Sequence, residues 1–183
     1  MPTFVKLFID NVLEKEKGYV DHEDDSGGAT NHGIIERVAR EHGYTGMMEA
    51  LSIEQAREIY YTIYFKKPKL DFLAEISQPI AEEVFDAGVN IGTARAIMFL
   101  QQALSVFNKR ETFYKDLVID GNLGPMSLTS LRIFLRERSV HGEEVLLKAL
   151  NCYQGEYYLS LAQKYEKNES FVFGWIRTRV ALT

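Results

Sequence analysis

The sequence predicts a mainly α fold with one small β-hairpin or loop after the first helix. Three observations carry this. Apolar residues recur at helical spacing along most of the chain. A stretch dense in Gly, Asp and Asn, residues 17–33, breaks that pattern between the first two helical segments. Pro79, Gly92 and Pro125 fall where helices would start or stop.

The first helix spans residues 3–16. Thr3, Lys6, Asp10 and Glu14 share one polar arc, while Phe4, Val5, Leu7, Phe8, Ile9, Val12 and Leu13 occupy the rest of the circumference. After the 17–33 loop or hairpin, helix resumes at Ile34 and runs to Glu41, stopped by Gly43. Ser52 and Gln55 have the spacing of a capping box that opens a helix to about Phe65. Residues 66–78 read as a connector punctuated by Pro68. Pro79 suits the first turn of the next helix, which Gly92 separates from another over about 93–108. Asp120 to Pro125 reads as a turn before a further helix. Leu146, Ala149, Leu150, Tyr153 and Tyr157 mark a long helix by their spacing, and Phe171 to Leu182 a short last one. Cys152 is expected as an inert core thiol, and Trp175 as the anchor of the last helix, with Arg177 in a polar contact beside it.

Composition narrows the function. Apolar residues make up 46% and charged residues 26%, the range of an ordinary globular chain, which excludes disordered and collagen-like classes. A net charge of −5 argues against a nucleic-acid partner held by overall charge. The most apolar stretch, Ala96 to Phe107, is short and contains Gln101 and Gln102, so no stable membrane insertion is expected. Asp10 interrupts the apolar N-terminus and no small-residue cleavage site follows, so a signal peptide is not expected. The single cysteine excludes an internal disulfide framework. Phosphate-binding glycine loops, the H-E-x-x-H motif and the G-x-S-x-G motif are absent. Asp21, Glu23 and Asp25 imitate the start of a calcium loop, but Ser26 stands where it needs Gly and His32 where it needs Glu. No metal and no cofactor are expected.

Carboxylate chemistry remains. Glu16 ends an apolar helix and opens into a polar loop, a place where desolvation can raise a carboxyl pKa toward that of a general acid. Asp25 lies in polar surroundings that keep it ionised, and Thr30 can orient it or a water. Two carboxyls in contrasting environments are the arrangement that cleaves glycosidic bonds. Composition and spacing alone favour the simpler reading of Glu16 as a solvated helix-end residue, and of Asp25 as a turn-former before Gly27 and Gly28. Glu82, Asp86 and Asn90 form one stripe of a helix, read either as a solvated face or as a cleft wall that meets sugar hydroxyls and acetamides. Tyr19 is placed to stack on a sugar ring or to support the loop.

Glu16-Lys-Gly-Tyr19, Asp25-Ser-Gly-Gly-Ala-Thr30 and Gly33-Ile34 resemble the opening signature of glycoside hydrolase family 108, usually E-G-G-Y, D-x-G-G-x-T and G-I. These are the N-acetylmuramidases of N4-like phage endolysins and bacterial prophages. Val89-Asn-Ile-Gly92 is similar to the family's V-N-x-G segment, Asp120 to Pro125 to its D-G-x-x-G-P turn, and Gly174-Trp-Ile-Arg177 to its closing G-W-x-x-R. Lys17 replaces the first glycine after the Glu, and His22, Glu23 and Ser26 depart from the commoner loop. The Glu–Asp–Thr order is also similar to that of phage-type lysozymes, with residues 17–24 between Glu16 and Asp25.

The resemblance implies a lysozyme-like helical fold, with a catalytic region at 1–94 and a peptidoglycan-binding-like region at 95–183, packed as one unit. It implies a peptidoglycan hydrolase cutting the β-1,4 bond between N-acetylmuramic acid and N-acetylglucosamine. Glu16, Asp25 and Thr30 are then the catalytic residues, and Tyr19, Asp86 and Asn90 meet substrate. The partners expected are bacterial peptidoglycan and a separate holin for release, with the protein a monomer. Its location is then the host bacterial cytoplasm until release to the periplasm and wall. Two alternatives stay open: a lytic transglycosylase on the same substrate, and a non-catalytic wall-binding or secretion-accessory protein.

Overall fold

The computed structural model describes residues 1–15 and 29–181. The predicted class holds: the chain is mainly helical, with a small antiparallel hairpin after the first helix. It forms two compact units, Met1–Lys67 and Pro68–Thr183. The motif-based division falls at residue 94, whereas this division falls before the Val89–Gly92 segment.

In the first unit, α1 (Thr3–Lys15) buries Val5, Phe8, Ile9, Val12 and Leu13 of the predicted apolar arc, while Phe4 is half-buried and Leu7, at the arc's edge, faces solvent. The hairpin follows as β1 (Thr30–Asn31) and β2 (Ile34–Ile35), with Thr30 opposite Ile35 and Asn31 opposite Ile34. His32 and Gly33 both have positive φ, 50° and 73°, as a two-residue loop matched to strand twist requires. Here the structure corrects the expected helix start. Ile34 and Ile35 are strand residues, as β-branched side chains favour, and α2 is Glu36–Glu41.

A 3₁₀ turn at Met48–Ala50 leads to α3 (Ile53–Tyr60). The capping box forms as predicted: Gln55 N donates to Ser52 Oγ at 3.2 Å, and Ser52 N donates to Gln55 Oε1 at 3.0 Å. The segment to Phe65 does not stay α-helical, because Tyr61–Lys66 is a π-helical turn. Its wider winding lets Tyr60 and Phe65, five residues apart, both be buried.

In the second unit, the expected connector 66–78 contains a short helix, α4 (Leu70–Ala74). Leu70, Leu73 and Ala74 bury its inner side, but a single turn is too short to show a period in sequence. Helix α5 (Gln78–Ile91) is capped by Ser77, whose Oγ accepts from Ile80 N at 3.1 Å, and has Pro79 in its first turn. Gly92, at φ 91°, ends α5 and opens α6 (Thr93–Phe107). Then come α7 (Pro125–Arg138), α8 (Gly142–Lys164) and α9 (Glu169–Arg179). Helix α8 packs against α5, α6, α7 and α9. No described helix is long and apolar enough to cross a membrane.

Two side-chain expectations are corrected in this unit. Cys152 is exposed, not a core thiol. The buried stripe of α8 carries polar residues, Asn151 and Gln154, beside Leu146, Leu150, Gly155 and Tyr158. Apolar spacing alone therefore misplaces that helix's inner face. Trp175 is half-buried and packs on Tyr158 at 5.4 Å between ring centroids, so it does seat α9 on α8. Arg177 faces solvent, and the polar contact expected of it belongs to Arg179.

Candidate functional site

Glu16, Tyr19 and Asp25 lie outside the described residues. The structure does describe the flanks of that segment. On its N-terminal side, Arg57 Nε donates to Asp10 Oδ1 at 2.7 Å, tying α3 to α1 beside the buried apolar face. On its C-terminal side the hairpin is pinned twice. Asn31, only 5% exposed, donates through Nδ2 to the Met48 carbonyl at 2.7 Å. Tyr60 Oη donates to the His32 carbonyl at 3.1 Å, fixing the loop to the end of α3. Glu36 N also donates to the Ala29 carbonyl at 2.9 Å. Both flanks of residues 16–28 are thus held by buried or half-buried polar contacts on an apolar core.

Thr30 is half-buried. Successive strand residues face opposite sides, so Thr30 projects away from the face on which Asn31 is anchored. Its backbone pairing to Ile35 fixes its position. Nearby in this unit, burial raises the Tyr64 hydroxyl above its ordinary pKa, opposed by the charge of Arg37.

Asp86 and Asn90 belong to the second unit, one turn apart on α5 and both half-buried. The structure brings them together. Asn90 Nδ2 donates to the Asp86 carbonyl at 2.7 Å and to Asp86 Oδ2 at 3.3 Å. Arg179 Nη1, from α9, lies 3.3 Å from Asp86 Oδ1. Beside them, Gln154 Nε2 donates to Tyr158 Oη at 2.9 Å. Burial raises the Tyr158 pKa, while the Gln154 hydrogen bond and the Arg179 charge lower it. Glu82, the third residue of the predicted stripe, is also half-buried.

The Asp120–Pro125 turn is organised by a residue that the sequence pattern marks only as a polar interruption. Gln101 is 1% exposed, and its Oε1 accepts from Gly121 N at 3.0 Å. Its Nε2 donates to Asp120 Oδ1 at 2.9 Å and to the Asn122 carbonyl at 3.1 Å. The Gln101 and Asn122 hydrogen bonds hold the Asp120 carboxyl below its ordinary pKa. Gly121 has φ 71°, and a Cβ there would lie 2.8 Å from the Ala94 carbonyl oxygen.

Sequence reasoning missed Asn31, Arg57, Tyr60, Gln101 and Arg179, all of which act through distant backbone or charged partners. Only the Asn31–His32–Gly33 run carried a local signal, the glycine of a tight hairpin loop. Among the described residues, no group of three or more His, Cys, Asp or Glu side chains could hold a metal ion.

Residues 9–92 match the family described as Glycosyl hydrolase 108, and residues 95–180 match the Predicted Peptidoglycan domain. No curated protein matches the sequence. Among solved structures, the chain is similar to Brucella abortus SagA, with a TM-score of 0.61 at 22% identity over 96% of each chain. At that identity the likeness is one of fold.

Proposed function

From the match of residues 9–92 to the family described as Glycosyl hydrolase 108, we propose that the chain is an N-acetylmuramidase that cuts the glycan strands of bacterial peptidoglycan. The observation carrying this reading is the family match over residues 9–92, which include Glu16 and Asp25, next to a Predicted Peptidoglycan domain at 95–180. Glycoside hydrolysis of peptidoglycan is the broader statement, and the β-1,4 bond from N-acetylmuramic acid to N-acetylglucosamine is the specific one.

In this mechanism Glu16 donates a proton to the glycosidic oxygen as the C1–O bond breaks. Asp25, ionised, stabilises the oxocarbenium-like charge or positions the water that adds to C1. Thr30, set in β1, assists that placement. Water supplies the hydroxyl at C1, and its remaining proton restores the acid. Tyr19, Asp86 and Asn90 contact the sugars. The support from the fold is the anchoring of both flanks of residues 16–28 by Arg57–Asp10, Asn31–Met48 and Tyr60–His32.

The biological setting proposed is that of a phage endolysin. The protein waits in the host bacterial cytoplasm, passes the inner membrane through a separate holin, and lyses the wall as a monomer.

The test is analysis of the ends released from purified peptidoglycan. New reducing N-acetylmuramic acid ends are expected. Anhydro ends would replace hydrolysis by transglycosylation, and no released fragment would favour a wall-binding or accessory protein.

A further inference from the structure

The hydrogen bonds between Asp86 and Asn90 decide which end of the Asn90 amide faces outward. The two groups that receive Asn90 Nδ2, the Asp86 carbonyl and Asp86 Oδ2, are acceptors. Only the NH₂ end of an amide can meet them, so Oδ1 is turned away. Among the described residues no hydrogen bond engages Asn90 Oδ1.

The Asp86 carboxylate is itself oriented by Arg179. Their side chains are 18% and 9% exposed, so the pair is largely withdrawn from water. Removing one partner of such a pair leaves a poorly solvated charge on the other. Arg179 is the last residue of α9, and α9 is firmly seated on α8. Trp175 packs on Tyr158, Ile176 and Val180 approach the bare face of Gly155, and Ala181 N donates to Asn151 Oδ1 at 2.6 Å. The C-terminal helix therefore reaches back 93 residues to fix an amide near the end of α5.

We propose that Arg179 is a positioning residue: acting through Asp86, it holds Asn90 Oδ1 outward as an acceptor for a hydrogen-bond donor of the glycan, an acetamido N–H or a sugar hydroxyl. This rests on the peptidoglycan-hydrolase reading given above. It assigns the region matched to the Predicted Peptidoglycan domain a part in substrate selection by the hydrolase region, beyond any wall binding of its own.

A double-mutant cycle tests it on purified peptidoglycan, reading kcat/KM for wild type, Arg179→Gln, Asn90→Ala and the double variant. Each single variant is expected to lose about tenfold, mainly through KM, and the double variant no more than Asn90→Ala alone. Losses that multiply, to about a hundredfold, would mean that Arg179 acts on general stability and would overturn the proposal. If Arg179→Gln does not fold, Arg179→Lys is used in the same cycle. Lysine keeps the charge but lacks the guanidinium fork, so a smaller loss, again absent in the Asn90→Ala background, is expected. A Lys variant whose loss persists in that background overturns the proposal. Wild-type protein that releases no fragments overturns the hydrolase reading, and this one with it. An active wild type with multiplying variants overturns this one alone.

Discussion

Arg57 Nε lies 2.7 Å from Asp10 Oδ1, and this pair joins α3 to the final turns of α1, the helix that ends at Lys15. The side chains are 20% and 30% exposed, so water screens the contact only in part. Glu16 is the next residue in the chain. Asp10 thus stands six residues before the proposed acid in the chain.

Arg57→Gln is expected to destabilise the protein by about 1–2 kcal/mol, since a charge-assisted hydrogen bond is lost and Asp10 keeps a partly buried charge. Urea unfolding measures this directly. The lytic rate is expected to fall as well, because α1 loses its tie to α3. An unchanged unfolding midpoint would show that the apolar face of α1 suffices to hold the helix.

Gln101→Leu is expected to be among the most damaging substitutions in the second unit. It strands the Gly121 amide and removes donors from Asp120 and the Asn122 carbonyl, at about 3 kcal/mol together. Calorimetry should show Tm lower by about 6–12 °C for a chain of this size. A fall of only a degree or two would mean that the Asp120–Pro125 turn keeps its form without Gln101.

Tyr114 gives an alkaline prediction. Its hydroxyl donates to the Leu104 carbonyl at 2.9 Å, and burial pushes its pKa up to about 12, outweighing the opposing charge of Arg138. The folded value lies above the unfolded one, so its contribution is intact below pH 10 and is lost as pH rises toward 12. The loss amounts to about 2–3 kcal/mol. Burial moves Tyr64 and Tyr158 in the same direction. Stability followed from pH 9 to about 12 should decline for wild type and more gently for Tyr114→Phe. Parallel curves would contradict the assignment.

Periodicity and punctuation made most of the helical order legible. The arc of Phe4 to Leu13, the Ser52–Gln55 box, Pro79, Gly92 and Pro125 each act within a turn or two, so their physics is local. What escaped was decided by distant partners or by lengths too short to carry a period. Leu70–Ala74 is a single buried turn, and Ile34–Ile35 is a strand because Thr30–Asn31 pairs with it. Cys152 was misplaced because Asn151 and Gln154, polar by type, take the buried face of α8. In the candidate site, Asp86 and Asn90 were legible as a helix stripe, but their orientation by Arg179 was not, since 93 residues separate the partners. Thr30 was legible by motif, and the anchors Asn31 and Tyr60 only from the fold.

The measurement that bears most directly on the proposed chemistry is clearing of outer-membrane-permeabilised Gram-negative cells by wild type and Glu16→Gln, with circular dichroism to compare their folds. Glutamine keeps the size of the side chain and removes its transferable proton. The result expected is clearing by wild type and a loss of about 10²-fold or more in the variant, with identical spectra, as removal of a general acid requires. Equal clearing by both proteins would contradict a glycosidase centred on Glu16.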